Sequence, residues 1–290
     1  MLVLLVNFLC IIVPGGAAWV TTYRWPQAAP TAPKLSTEHV ASGARKHRPL
    51  VAFMHSRLSP ESTTGLALSA AIVAFVGGAI VVGLVLLMIH TNTGFARLDR
   101  SASLFGAHHA TNFSTKVLRV YTQLGGALVI VPLAVIVAII ETIRQRSIEV
   151  VTFLTLVVGG QYLLANVLKS IVNRARPNFD QLTGFSGPSF PSGHAVAAAA
   201  CLAAFALVIG RRRSLKVRAF LAGLAVGLAT GIACVRVMLG VHWLTDVLAG
   251  LALGWAWFAL CSVAFGGYRL HFGAPVETAE KVVSPFVPPT

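Results

Sequence analysis

LALSAAIVAFVGGAIVVGLVLLMI, residues 66–89, runs for 24 residues without a charged side chain. At about 1.5 Å per residue a helix of that length reaches about 36 Å, enough to cross a hydrocarbon core of roughly 30 Å. The stretch has no strand-like alternation, and a barrel strand needs only about 9–11 residues. It reads as a transmembrane helix. Five further long runs follow, at 120–140, 150–168, 190–210, 219–235 and 243–265, free of Lys, Arg, Asp and Glu except for Asp246 near the start of the last. In lipid every backbone polar group must be satisfied within the chain, so the six runs predict an all-α, polytopic membrane helical bundle with six core transmembrane helices. Small residues at Gly77-Gly78, Gly159-Gly160 and across 223–231 suit close helix packing.

Composition agrees with this reading and removes other classes. Of 290 residues 56% are hydrophobic and 11% charged, with a mean hydropathy of +0.77; a soluble domain carries about 25% charged residues, and a disordered chain is poorer in apolar ones. Four cysteines are too sparse for a disulfide scaffold, and Cys201, Cys234 and Cys261 lie inside apolar runs as small buried side chains. The net charge of +14 comes from Lys and Arg clustered between apolar runs, not from one basic face, so it does not indicate a nucleic-acid partner.

Those clusters set the orientation. Arg211, Arg212, Arg213, Lys216 and Arg218 join spans four and five, Arg144 and Arg146 join spans two and three, and Arg45, Lys46, Arg48 and Arg57 precede span one. With six spans all three clusters fall on one side, the cytoplasmic one by the positive-inside rule. Arg97, Arg100, Lys116 and Arg119 run against it, partly offset by Asp99. Residues 2–20 are apolar but for Asn7 and are broken by Pro14, Gly15 and Gly16. A cleaved signal peptide would invert the bundle; either an extra helix with its N-terminus outside or translation starting at Met54 keeps the topology. The chain divides into an N-terminal extension 1–59, a membrane domain 60–268 and a C-terminal tail 269–290.

Ionisable groups inside spans cost about 2.5–3.5 kcal/mol each at the helix centre, so their placement matters. Here they sit at helix ends. Lys169, Arg174 and Arg176 follow span three, His194 opens span four, Arg236 ends span five, and His242 and Asp246 open span six. By parity all four ends share one face, which the orientation makes extracytoplasmic. Taken alone, Lys169 and Arg176 suit two snorkelling interfacial cations, and Asp246 suits a capping residue beside an incidental His242. Their convergence favours an anion site. The seven-residue spacing of Lys169 and Arg176, nearly two helical turns, puts both on one face, while Pro177 biases Arg176 out of helix at the boundary; a point charge and a fork suit a phosphate. FSGPSFPSGHA, residues 185–195, reads as a helix start at which Ser189 or Ser192 can cap, Pro191 takes an early helical position and Gly193 permits close approach. His242 and Asp246 stand at i and i+4, where the carboxylate could hold one imidazole nitrogen and free the other. Trp243 suits an interfacial anchor.

Three segments, KSIVNRARP (169–177), PSGH (191–194) and RVMLGVHWLTD (236–246), resemble in order the three signatures of the type 2 phosphatidic acid phosphatase superfamily, the lipid phosphate phosphatases. The resemblance covers roughly residues 60–268. It implies that His242 is the nucleophile, forming a phosphohistidine, that Asp246 orients it, and that His194 is general acid and then base. It further implies that Lys169, Arg176, Arg236, Ser192 and Gly193 bind the phosphoryl oxygens. No metal or cofactor is implied. Val235 stands where the family commonly has Ser, which removes one phosphate hydrogen bond. The expected function is hydrolysis of a lipid phosphate in a bacterial plasma membrane, with an isoprenoid carrier diphosphate of the undecaprenyl diphosphate type as leading substrate. Phosphatidic acid and phosphatidylglycerol phosphate are rivals. Lipid phosphoryl transfer and non-catalytic lipid or anion transport are the other classes.

Overall fold

The structure, a computed structural model, describes residues 1–24, 63–178, 181–211 and 213–266. The basic cluster Arg45, Lys46, Arg48 and Arg57, the alternative start at Met54, Arg212, the 59/60 boundary and the tail 269–290 lie outside the described residues.

The described residues are all-helical. We number the helices α1 (Leu2–Arg24), α2 (Thr63–Thr91), α3 (Asp99–His109), α4 (Asn112–Thr122), α5 (Ala127–Gln145), α6 (Glu149–Val172), α7 (Gly193–Gly210), α8 (Leu215–Met238) and α9 (Leu244–Gly266). All but α3 and α4 are long and apolar enough to cross a membrane, so the described chain offers seven such helices. Six are the expected core spans; the seventh is α1, which contains the apolar segment 2–20.

Helix α7 is the centre. Its first three turns are rich in alanine, and Ala195, Ala198, Ala199 and Ala200 are fully buried among α6, α8 and α9. Glycines let α9 come close: a Cβ on Gly254 would stand 2.5 Å from the Val196 carbonyl oxygen. Helix α1 lies antiparallel on α8 along a glycine seam. Asn7 Nδ2 donates to the Gly231 carbonyl (2.8 Å), Thr230 Oγ1 donates to the Cys10 carbonyl (2.7 Å), and Gly15 lies against Gly223 and Gly227. Close backbone approach of this kind is how helices associate where water supplies no driving force.

The second span differs from the expected 120–140. The chain turns at Gln123–Gly125 and the helix starts at Ala127. The bend brings Gly125 against the start of α7, where an added Cβ would stand 3.0 Å from the His194 carbonyl oxygen. An uncharged run cannot reveal a bend made by packing. The same helix continues past Ile140 to the buried Glu141, which pairs with Arg144 at 2.6 Å and accepts from Gln145 Nε2 at 2.9 Å. Gln145 also donates to the Val208 carbonyl (3.3 Å) and accepts from Arg211 (2.8 Å), tying the ends of α5 and α7 together. Arg24, Arg144, Arg146, Arg211, Arg213, Lys216 and Arg218 thus gather at one end of the bundle, and the polar residues of α6 to α9 at the other.

Candidate active site

At that second end, α6 stops one turn after Lys169, with Asn173 in the left-handed region (φ 43°) and its amide bonded to the Lys169 carbonyl at 3.0 Å. Arg176 therefore lies beyond the helix. It meets Lys169 through a loop instead of a shared helical face: Lys169 Nζ donates to the Pro188 carbonyl at 3.3 Å and Arg176 Nη2 to the same oxygen at 3.1 Å. Arg176 is further held by the carbonyls of Gly187 (2.8 Å), Ser186 (2.9 Å) and Val241 (2.7 Å), and it stacks on Phe185.

The loop carries the chain into α7. Ser189 caps no helix; its amide donates to the Arg174 carbonyl (2.8 Å) and its hydroxyl to that of Ala175 (3.1 Å). Ser192 occupies the N-cap position without a side-chain cap bond, and Pro191 precedes the helix. The Ser192 amide is bonded to the Asp246 carbonyl at 3.1 Å, and its hydroxyl is buried and unpartnered. Gly193 and the first-turn amides that a helix leaves unbonded follow, with Lys169 Cε 4.0 Å from the place of a Gly193 Cβ. His194 projects from this turn, half-buried, its Nε2 3.5 Å from the place of a Gly126 Cβ.

The last turn of α8 carries Arg236, 5% exposed, with Nε unpartnered. The turn that follows needs Gly240 at φ +68°, a conformation that disfavours a side chain. It delivers His242 just before α9 and Asp246 in the first turn of α9. His242 is thus not on the helix with Asp246, yet Nδ1 lies 3.5 Å from Asp246 Oδ2. That contact is loose and Nδ1 has no aligned acceptor; Asp246 Oδ2 takes the Trp243 amide at 2.9 Å. Arg176 Nη1 approaches His242 Nε2 at 3.1 Å. Since a guanidinium only donates, Nε2 is the acceptor, and the ring proton belongs on Nδ1 facing Asp246. Burial, and then the charges of Arg236 and Arg176, hold the His242 pKa down to about 4 against the opposing pull of Asp246, so the ring is neutral at pH 7. Burial likewise lowers the pKa of Arg176, against Asp246.

All eight residues singled out in the sequence, Lys169, Arg176, Ser192, Gly193, His194, Arg236, His242 and Asp246, therefore converge at one end of the bundle. Among the described residues, Lys169, Arg176 and Arg236 have no carboxylate within ion-pair distance, and no cluster of three His, Cys, Asp or Glu is arranged to hold a metal. Val235 belongs to a buried apolar cluster with Val3, Leu118 and Leu239.

Other residues had been given no part in the phosphate site. Arg174 donates to Asp246 Oδ1 (2.7 Å), Asp99 Oδ2 (2.8 Å) and Thr245 Oγ1 (2.8 Å), and its guanidinium lies over Trp243. Asp99 also accepts from the Thr245 amide (2.8 Å) and hydroxyl (2.7 Å). Thr245 is fully buried, and Trp243 Nε1 donates to the Ala175 carbonyl at 2.8 Å. The buried residues of α3, Asp99, Ser103 and Gly106, recur at helical spacing, and Gly106 lies against the Met238 backbone. That spacing was the available signal in the sequence.

Comparison with known proteins identifies relatives of the chain. The family model described as PAP2 superfamily matches residues 150–269. Phosphatidylglycerophosphatase B of Bacillus subtilis (strain 168) is 33% identical over 177 residues, 59% of this chain and 85% of that protein. Lipid A 1-phosphatase of Rhizobium johnstonii is 43% identical over 118 residues, 37% of this chain and only 43% of that protein, so the chain matches less than half of it. The crystal structure of a transmembrane PAP2 type phosphatidylglycerolphosphate phosphatase from Bacillus subtilis superposes with a TM-score of 0.59 at 26% identity, covering 75% of this chain and 98% of that one. With its helical architecture and most of a relative's length shared, the chain belongs to the PAP2 superfamily.

Proposed function

We propose that this protein is a metal-independent lipid phosphatase working through a phosphohistidine, with its site on the extracytoplasmic face of a bacterial plasma membrane. One observation carries the reading: three buried or half-buried cations without carboxylate partners gather with an imidazole whose unprotonated Nε2 faces the Arg176 guanidinium. A phosphoryl group supplies the negative charge those cations lack. His242 Nε2 attacks phosphorus; the N–P bond forms, the bond to the leaving oxygen breaks, and His194 gives that oxygen a proton. Water then attacks phosphorus, His194 takes its proton, the N–P bond breaks and phosphate leaves. Lys169, Arg176, Arg236, the Ser192 hydroxyl and the amides from Gly193 onward hold the phosphoryl oxygens as charge develops.

The site stands at helix ends beside lipid, which suits an anionic headgroup with its tail in the bilayer. Among substrates we favour a phosphatidylglycerophosphate-type monoester over the isoprenoid diphosphate expected from sequence, because the relatives sharing most of their length with this chain carry that name. The arrangement of Arg211 to Arg218 opposite the site supports the orientation.

The test is phosphate release with EDTA present, from phosphatidylglycerophosphate, undecaprenyl diphosphate, phosphatidic acid and a short water-soluble phosphomonoester. Detergent-purified wild type and His242→Ala are compared. Wild type turns over the lipids far better than the soluble ester, and His242→Ala loses at least about 10³-fold in kcat. A folded wild type that releases nothing, or a variant that keeps its rate, overturns the reading.

A further inference from the structure

The pair His242 and Asp246 is held from outside the three motifs, by the short helix α3. Asp246 is fully buried, and a buried carboxylate is tolerated only when paired. Its cation is Arg174, but Arg174 does not serve Asp246 alone. One guanidinium nitrogen reaches Asp246 Oδ1 and Thr245 Oγ1, and the other reaches Asp99 Oδ2. The Thr245 hydroxyl accepts from Arg174 and donates to Asp99, and the Thr245 amide takes the second Asp99 oxygen. These contacts, all at 2.7–2.8 Å, leave no mismatch of donor and acceptor.

The charge count gives the arrangement a purpose. Two carboxylates share one guanidinium, so the cluster keeps one net negative charge. With Asp99 removed, Arg174 would neutralise Asp246 by itself. The neutral His242 ring becomes cationic when Nε2 bonds to phosphorus while Nδ1 keeps its proton, and the charge it then meets is that of Asp246 at 3.5 Å.

We infer that Asp99, acting through Arg174 and Thr245, is a positioning residue that fixes Asp246 and keeps its charge available to the phosphorylated His242. The inference rests on the phosphohistidine reading above. Because Asp99 opens α3, which also offers its Ser103 hydroxyl toward the His242 carbonyl at 3.5 Å, the placement of this helix sets that of the nucleophile.

The test compares kcat and KM of wild type, Asp99→Asn, Thr245→Val and Thr245→Ser on the best lipid substrate, with the melting temperature of each. Asp99→Asn and Thr245→Val are expected to lower kcat about 10–100-fold with KM little changed, the size typical of losing a group that orients a reacting one. Thr245→Ser, which keeps the hydroxyl, recovers kcat relative to Thr245→Val. A folded Asp99→Asn protein with wild-type kcat, or with its loss confined to KM, overturns the assignment. If Asp99→Asn does not fold, equal rates for Thr245→Val and Thr245→Ser overturn it. Activity of the wild type is the control that separates the two ideas: if it is absent, the hydrolase reading fails and takes this assignment with it. If it is present, the variants judge Asp99 alone.

Discussion

In the proposed mechanism His242 has to be neutral to attack and cationic afterwards, and its surroundings favour the first state. The folded chain resists a proton on His242 down to about pH 4, whereas the unfolded chain takes it near the ordinary imidazole value of about 6.5. Between these values the unfolded state binds more protons, so stability falls as pH falls. Wild type therefore loses melting temperature between pH 7 and pH 5 more steeply than His242→Gln, as measured by thermal unfolding in detergent; parallel curves would show an ordinary imidazole. Arg236, buried with an unpartnered Nε, makes a second expectation. Replacing the fork by a point charge in Arg236→Lys lowers kcat/KM by about 10²-fold, the order of one lost donor to a developing oxyanion, with net charge unchanged. The eight residues of the candidate site were legible in the sequence because parity forces four helix ends onto one face. The roles of Arg174, Asp99 and Thr245 were not, because they consist of bonds between distant segments. A carboxylate in a connection looks the same whether it is solvated or bonded to the residue beside Asp246.

At the scale of elements, uncharged runs revealed the membrane helices and missed what packing alone decides. Helices α3 and α4, of 11 residues each, are too short and polar to stand out as spans. The bend before α5 has no mark except two glycines, which also suit a helix seam. The residues of the α1–α8 seam were legible as small, but their partner was not: Gly223, Gly227 and Gly231 suit any close neighbour. A Cβ on Gly227 would stand 2.7 Å from the Ile11 carbonyl oxygen, with backbone on the other side of the contact and no flexible side chain to yield. Gly227→Leu is expected to lower the melting temperature by an amount corresponding to about 1–3 kcal/mol, the cost of overpacking. The folded fraction keeps an activity near that of wild type, because the substitution lies far along α8 from Arg236. Loss of activity without loss of stability would tie α1 to the chemistry.

For the whole molecule the separation of charges is the informative property. One end carries Arg144, Arg146, Arg211, Arg213, Lys216 and Arg218, the other the candidate site. Introducing Ser186→Cys at the site end and Ser214→Cys at the opposite end gives two reporters for a membrane-impermeant thiol reagent. Intact spheroplasts label the first and not the second, and the reverse pattern would put the site in the cytoplasm. The seam between α1 and α8 also has a consequence in time. The residues joined by the Asn7 to Gly231 bond are 224 positions apart, so at about 5–20 residues per second roughly ten to forty-five seconds of synthesis separate them. Where α1 inserts first, it holds the Asn7 amide unmatched over that interval, while α2 and α5 to α7 insert. The two helices must then find each other laterally, as an encounter between finished parts. A copy of α1 supplied as a separate peptide could fill the same groove.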